Sequence, residues 1–371
     1  MNVLVLLPYL YDTVPGQRFR IEQWPRCLEP MGVRFQFVPF ESPALQQVWC
    51  AQGRYGRKLA ELLRGIGRRI RDVARLDGRW DLIVIFRELL PIGPALLERW
   101  TARAGIPVVY DFDDAIFLPN VSEVHKAWGW LKWPGKTGTI CRLSRHVIAG
   151  NDYLQAYARR YNERVSVIPT TIDTDAYLMK HSQAVEGVPV IGWSGSRTTV
   201  PHLRGLDQAL QVLRRSAEFQ LKVVGTERYA LDGVEVNAHA WQAQTEAEDI
   251  QSFHIGVMPL PDDPWARGKC GLKALQYMAL GVPVVASPVG VNTQIIQDGR
   301  NGLLASSAKE WVEQLSRLMR DEPLRTRLAR EARATVERWY SAKAQAPCLL
   351  EIFSQLCPSA RPAEASAPVM A

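Results

Sequence analysis

Long apolar runs are absent from this 371-residue chain. No stretch approaches the roughly 20 residues that a membrane-spanning helix needs, which argues against an integral helical membrane protein. Paired cysteines are absent too. Cys27, Cys50, Cys141, Cys270, Cys348 and Cys357 form no C-x-x-C pair and no metal-ligand spacing. Neither a zinc module nor a disulfide framework is indicated, and the thiols read as free in a reducing cytoplasm. The opening MNVLVLLP lacks a basic stretch and a small-residue cleavage site, so it reads as a first strand and not as a signal peptide. The turn that follows it has no G-x-G-x-x-G, which weighs against a nicotinamide-dependent oxidoreductase. No internal repeat is present.

What is present suits a large enzyme of two domains. A single core rarely grows past roughly 250–300 residues, and 47% hydrophobic content can fill two. Short β-branched runs alternate with amphipathic stretches, the pattern of α/β domains with parallel sheets. Strands are expected at 3–7, 34–38, 82–86, 107–111, 146–149 and 165–168. In the second half they are expected at 190–193, 220–224, 234–237, 255–258 and 283–286. The polar stretch 179–188 reads as a linker, 306–340 as one long helical stretch, and the Pro/Ala/Ser-rich tail from Pro358 as disordered. The expected division is 1–178, 188–340 and a C-terminal segment 341–371.

The most distinctive stretch is 256–302: a strand end, a cationic loop with Arg267 and Lys269, a short helix stopped by Gly281, then a buried strand. A cationic loop opening a helix beside a parallel strand is an anion site, because free backbone N–H groups and the helix dipole both favour negative charge. Its pattern, K-C-G-x-K-x-x-Q-Y-M-A-x-G-x-P-V-V-A-S-P-V-G-x-N, resembles the nucleotide-sugar-binding segment of glycosyltransferase family 4. That is a large retaining group with the GT-B fold, two Rossmann-like doubly wound domains facing across a cleft. The resemblance implies transfer of a sugar from a nucleotide-sugar donor, with no cofactor and no metal required. It places the diphosphate between the loop Gly195-Ser196-Arg197 and the segment holding Arg267, Lys269 and Lys273, with Arg204 at the position of a family lysine. The family pattern E-x7-E is not kept. Gly268 or Lys269 takes the first Glu position and Gln276 the second; a neutral amide can still bond a sugar hydroxyl.

In the first half, Tyr110-Asp111-Phe112-Asp113-Asp114-Ala115-Ile116-Phe117 ends a strand with clustered carboxylates. Asp111 and Asp113 have the D-x-D spacing of a metal site. Asp113 and Asp114 also read as a helix N-cap and turn. The resemblance puts both in the cleft, with His125 as the nearest titrating group and Arg18 and Arg20 as acceptor contacts. Trp128, Trp130 and Trp133, interleaved with lysines, suit stacking on a sugar, a membrane interface or a packed loop. The segment from Arg54 to Arg79 holds nine Lys/Arg against three Asp/Glu, six of the chain's seven net positive charges. Leu59, Leu62, Leu63, Ile66, Ile70 and Val73 keep helical spacing within it, with Arg64, Arg68, Arg69, Arg71 and Arg75 around them. Such a helix suits an anionic membrane surface on the cytoplasmic side, or a solvated outer face. No nucleic-acid-binding motif accompanies it. A non-catalytic nucleotide-sugar-binding or scaffold protein is the alternative, since the E-x7-E carboxylates are missing.

Overall fold

A computed structural model describes residues 1–49, 53–119, 133–185 and 187–358. The chain divides into two compact units, Met1–Pro169 with Gln345–Ala371, and Thr170–Ala344.

The first unit holds β1 (Asn2–Leu7), β2 (Arg34–Pro39), β3 (Leu82–Phe86), β4 (Val108–Phe112), β5 (His146–Ala149) and β6 (Val165–Val167). Their order is β2-β1-β3-β4-β5-β6 and every pairing is parallel. β3 and β4 are buried along their whole length, which is why they read as unbroken apolar runs. The strand order reverses between β1 and β3. The crevice outside their carboxyl ends is the usual ligand position in an open α/β sheet.

The second unit repeats the plan with β7 (Val190–Ser194), β8 (Gln220–Val224), β9 (Glu235–His239), β10 (Ile255–Met258), β11 (Val284–Ala286) and β12 (Leu303–Leu304). The order is β12-β11-β10-β7-β8-β9, again parallel, and it reverses between β7 and β10. The expected strands all form, with ends moved by a residue or two. β12 is additional; two residues are too few to show a period in sequence.

Three expectations are corrected. The unit boundary lies at Pro169–Thr170, before the expected linker, because 170–185 is bound to the second unit through its backbone. Arg333 donates to the carbonyls of Thr174 and Tyr177, and Arg325 to that of Gln183. The C-terminal boundary likewise moves from 340 to Ala344, since Ala342 N–H bonds Ile172 O at 3.0 Å. The long helical stretch is broken into two, Ala308–Arg320 and Glu322–Thr335, the second continuing as a π-helical turn over Val336–Tyr340. Asp321 separates them and caps the second, its carboxylate accepting from Leu324 N–H at 2.8 Å with Pro323 in the first turn. The tail beyond 358 lies outside the described residues.

The basic segment forms the helix Tyr55–Ala74, but its buried stripe is Glu61, Gly65, Arg69 and Val73. Arg69, expected on the charged outer face, is instead buried and donates to Leu7 O at 2.7 Å and Val38 O at 3.1 Å. Burial lowers its pKa to about 10, so it stays charged at neutral pH. The apolar residues Tyr55, Leu59, Leu63 and Ile70 are exposed, at 78, 56, 58 and 41%. Among the described residues no helix is long and apolar enough to cross a membrane.

Candidate functional site

In the second unit the loops after β7 and β10 meet the place where strand order reverses. After β7, Gly195 N–H bonds Val224 O at 2.8 Å. A Cβ placed on Gly225 would lie 1.9 Å from the Gly195 carbonyl oxygen, and Gly225 has φ +122°, so this close approach requires glycine. Ser196 then caps the following turn, its N–H bonding Thr199 Oγ1 at 3.0 Å. Ser196 and Arg197 are exposed and Gly195 is half-buried.

After β10, Asp263 caps the short helix Pro264–Arg267, and Gly271 with φ +72° begins the helix Leu272–Ala279. Lys269 and Lys273 flank that helix start, both half-buried. The Lys269 ammonium lies 5.1 Å from the Trp265 ring centre and that of Lys273 lies 5.5 Å from the buried Trp193 ring. An aromatic face holds a cation without neutralising it. Tyr277, from the same helix, accepts from Ser194 N–H at 2.9 Å and so fastens the helix to the end of β7. Burial raises the Tyr277 pKa, which keeps its hydroxyl protonated. His202 belongs to this cluster. Burial, then Lys273 and Lys269, lower its pKa, so its imidazole is neutral at pH 7. Its only signal in the sequence is a place in the first helix after β7.

Gln276 is buried, and its Nε2 has no hydrogen-bond partner among the described residues. Two expected members of the clamp are turned to other contacts. Arg204 stacks 4.1 Å from the Tyr229 ring centre and donates to Asp207 at 3.1 Å and to Ala230 O at 2.8 Å, which ties it to the β8–β9 connection. Arg267 pairs with Asp262 on the exposed surface at 2.7 and 3.0 Å.

In the first unit three loops converge beside β1 and β3. Arg87, the residue after β3, has φ +59°, uncommon for a side chain of this size. Its Nε donates to Asp113 at 2.7 Å and its Nη2 to Asp114 at 2.8 Å. Burial opposes the charge on Arg87, and Asp113 and Asp114 outweigh it. A Cβ on Gly16, from the loop after β1, would lie 3.2 Å from Arg87 Nη2 and 3.3 Å from Asp113 Oδ2. Asp113 and Asp114 therefore belong to one Arg-bridged network at the carboxyl edge of the sheet.

Asp111 sits one layer deeper. It pairs with Arg20 at 2.7 Å, and Arg20 also donates to Ile168 O. Arg20 is 1% exposed, so its assignment as an acceptor contact is corrected: it packs under the site. Burial raises the Asp111 pKa to about 6, against the lowering effect of Arg20. Arg18 is nearer the surface and pairs with Asp12 at 2.6 Å. The D-x-D carboxylates are thus bound by two guanidinium groups. Among the described residues no group of three or more His, Cys, Asp or Glu is placed to hold a metal. His125, Trp128 and Trp130 lie outside the described residues. Arg87 was not singled out from sequence; a charged residue directly after a strand buried on both faces was the available signal.

Comparisons with known proteins agree with this architecture. Residues 188–321 match the family model described as glycosyl transferases group 1. The chain is 41% identical over 61 residues to a D-inositol 3-phosphate glycosyltransferase of Nocardioides sp., which covers 16% of this chain and 13% of that protein. It is 33% identical over 105 residues to the protein of the same name from Corynebacterium urealyticum, 27% of this chain and 24% of that one. The chain therefore spans less than a quarter of the length of these curated relatives. Among solved structures, sucrose-phosphate synthase from Thermosynechococcus elongatus superposes with a TM-score of 0.67 at 15% identity, over 97% of this chain and 100% of that one. HepE from Anabaena, in complex with UDP-glucose, gives 0.67 at 16% identity over 96% and 100%. The two parallel sheets and these likenesses define the GT-B fold class.

Proposed function

We propose that this chain is a glycosyltransferase that moves a sugar from a nucleotide-sugar donor to an acceptor. The observation that carries it is the pair Lys269 and Lys273 at the start of the helix Leu272–Ala279, beside the strand-order reversal and inside the segment matched to group 1 glycosyltransferases. Two ammonium groups at a helix start are suited to a diphosphate, whose charge grows as the sugar departs. Ser196 and Gly195 face the same anion from the end of β7. The neutral His202 donates a further hydrogen bond, and Gln276 bonds a ribose or sugar hydroxyl. In the first unit Asp113 and Asp114 accept hydrogen bonds from acceptor hydroxyls. Retention of the anomeric configuration follows from the family resemblance.

A thermal-shift screen of nucleotide sugars tests donor binding, because a ligand bound only by the folded state raises the midpoint. The expected result is a rise with one nucleotide class, and transfer unchanged by a chelator because the lysines neutralise the leaving diphosphate. Loss of transfer in chelator, restored by magnesium or manganese, would overturn the metal-free reading. Binding with no turnover would favour the non-catalytic alternative, which Gly268 and Gln276 in place of carboxylates keep in view.

We further propose that the helix Tyr55–Ala74 rests on an anionic membrane surface and that the acceptor is membrane-bound. Tyr55, Leu59, Leu63 and Ile70 are exposed in helical succession. Exposed Arg57, Arg64, Arg71 and Arg75 supply cations on the same helix and just after it. Such a face partitions into the headgroup region by apolar burial plus about 1 kcal/mol per cation near the surface. The protein is expected to co-sediment with vesicles containing phosphatidylserine or phosphatidylglycerol and to be released by salt. Leu59→Ser with Leu63→Ser should abolish this while leaving donor binding intact. Equal recovery with neutral and anionic vesicles, or none with either, would return the helix to a solvated role.

A further inference from the structure

We propose that Arg87 is the positioning residue for the Asp113 and Asp114 carboxylates; this rests on the glycosyl-transfer reading above. Three independent features converge on it. Arg87 follows β3 at the strand-order reversal of the first sheet, where ligands of such sheets bind. Its backbone has φ +59°, a conformation that costs energy in a non-glycine residue and is commonly kept at functional sites. Its guanidinium contacts both carboxylates through different nitrogens, at 2.7 and 2.8 Å, as two charge-assisted hydrogen bonds. Arg87 N–H also bonds Asp111 O at 2.8 Å, so β3 and β4 hold its backbone while the side chain reaches over the edge.

The surroundings fix the direction of the effect. Arg87 faces Asp113 and Asp114 from β4, Tyr9 and Gly16 from the loop after β1, and Asp111 with its partner Arg20 beneath. Glu88 beside it is neutralised by Lys136 at 2.6 Å. Two carboxylates held side by side on one guanidinium are suited to accept hydrogen bonds from hydroxyl donors of an acceptor. The bridge holds both carboxylates in one orientation. Without it they repel each other, and one takes up a proton at higher pH.

The test compares wild type, Arg87→Gln and Arg87→Lys as full chains, with saturating donor and varied acceptor across pH. The expected result for Arg87→Gln is a loss of roughly 10²-fold in kcat/KM for acceptor, the size expected for a misplaced contact group. Donor affinity should stay unchanged, and the acid limb of the profile should move to higher pH. Arg87→Lys keeps the charge but not the double contact, so its acid limb should lie between the two. A merely structural arginine would lower thermal stability and leave the profile of the folded fraction superimposable on wild type; that outcome overturns the proposal. If wild type transfers no sugar from any donor, the function reading fails, and carbon-13 NMR titration of aspartate carboxylates decides the role of Arg87. An Asp resonance that titrates at higher pH in Arg87→Gln than in wild type supports the bridge, and unmoved resonances overturn it.

Discussion

Replacing Lys273 or Lys269 by alanine is expected to slow sugar transfer by about 10²–10³-fold, equivalent to about 3–4 kcal/mol of lost transition-state stabilisation. Both ammonium groups lie beside the start of the helix Leu272–Ala279, and each sits over a tryptophan ring. Donor binding should weaken less than transfer, because the diphosphate gains charge as the sugar leaves. Arg204→Ala is the internal comparison. Its guanidinium is stacked on Tyr229 and bonded to Asp207 and Ala230 O, so its loss should leave transfer near wild type. Steady-state kinetics with isothermal titration of the nucleotide checks all three. Near-normal rates in both lysine variants would remove the clamp, and a large loss in Arg204→Ala would restore the sequence-based grouping.

Arg20→Met is expected to destabilise the first unit by about 3–5 kcal/mol, the usual consequence of leaving one member of a buried ion pair alone. The pair is 2.7 Å long and both side chains are almost fully enclosed. Asp111 carries the pH dependence. Its native pKa of about 6 lies above the ordinary carboxyl value near 3.9, so the native state binds a proton more tightly than the unfolded chain does. This contribution is fully present below about pH 4 and is lost as pH rises to about 6. Without Arg20 the native pKa rises further, so the loss should deepen and extend to higher pH. Denaturant unfolding of wild type and variant at a series of pH values measures it. Arg20→Met combined with Asp111→Asn should recover much of the stability, because no buried charge is then left. Equal stability of variant and wild type at neutral pH would contradict the buried-pair account.

Much of the fold was legible because buried parallel strands write themselves locally. Runs such as Leu82–Phe86 and Val108–Phe112 are apolar on both faces, and no other element needs that pattern over five residues. The cationic helix start was legible for the same reason: Lys269, Gly271, Lys273 and Gly281 lie within one short segment. The Arg87 network was not. Its carboxylates are 26 and 27 residues away, and its meaning depends on β3 and β4 being neighbours. The contacts of Arg204 with Tyr229 and Ala230 O were not legible either, because a position in a helix does not say which neighbouring loop its side chain will meet. Arg20 looked like an acceptor contact and Arg69 like surface charge, since a sequence shows the charge but not the backbone carbonyls and carboxylate that satisfy it when buried.

By itself, then, the sequence determined two parallel α/β units, a phosphate-suited loop in the second and a carboxylate cluster in the first. Periodicity and short-range spacing are enough for these. The tertiary structure alone decided which arginines are structural and which carboxylates share a cation. It also decided that Leu59, Leu63 and Ile70 of the Tyr55–Ala74 helix face outward while Leu62, Ile66 and Val73 pack inward. Those outcomes depend on which strands become neighbours, and a buried charge is tolerated only where distant parts of the chain bring it a partner.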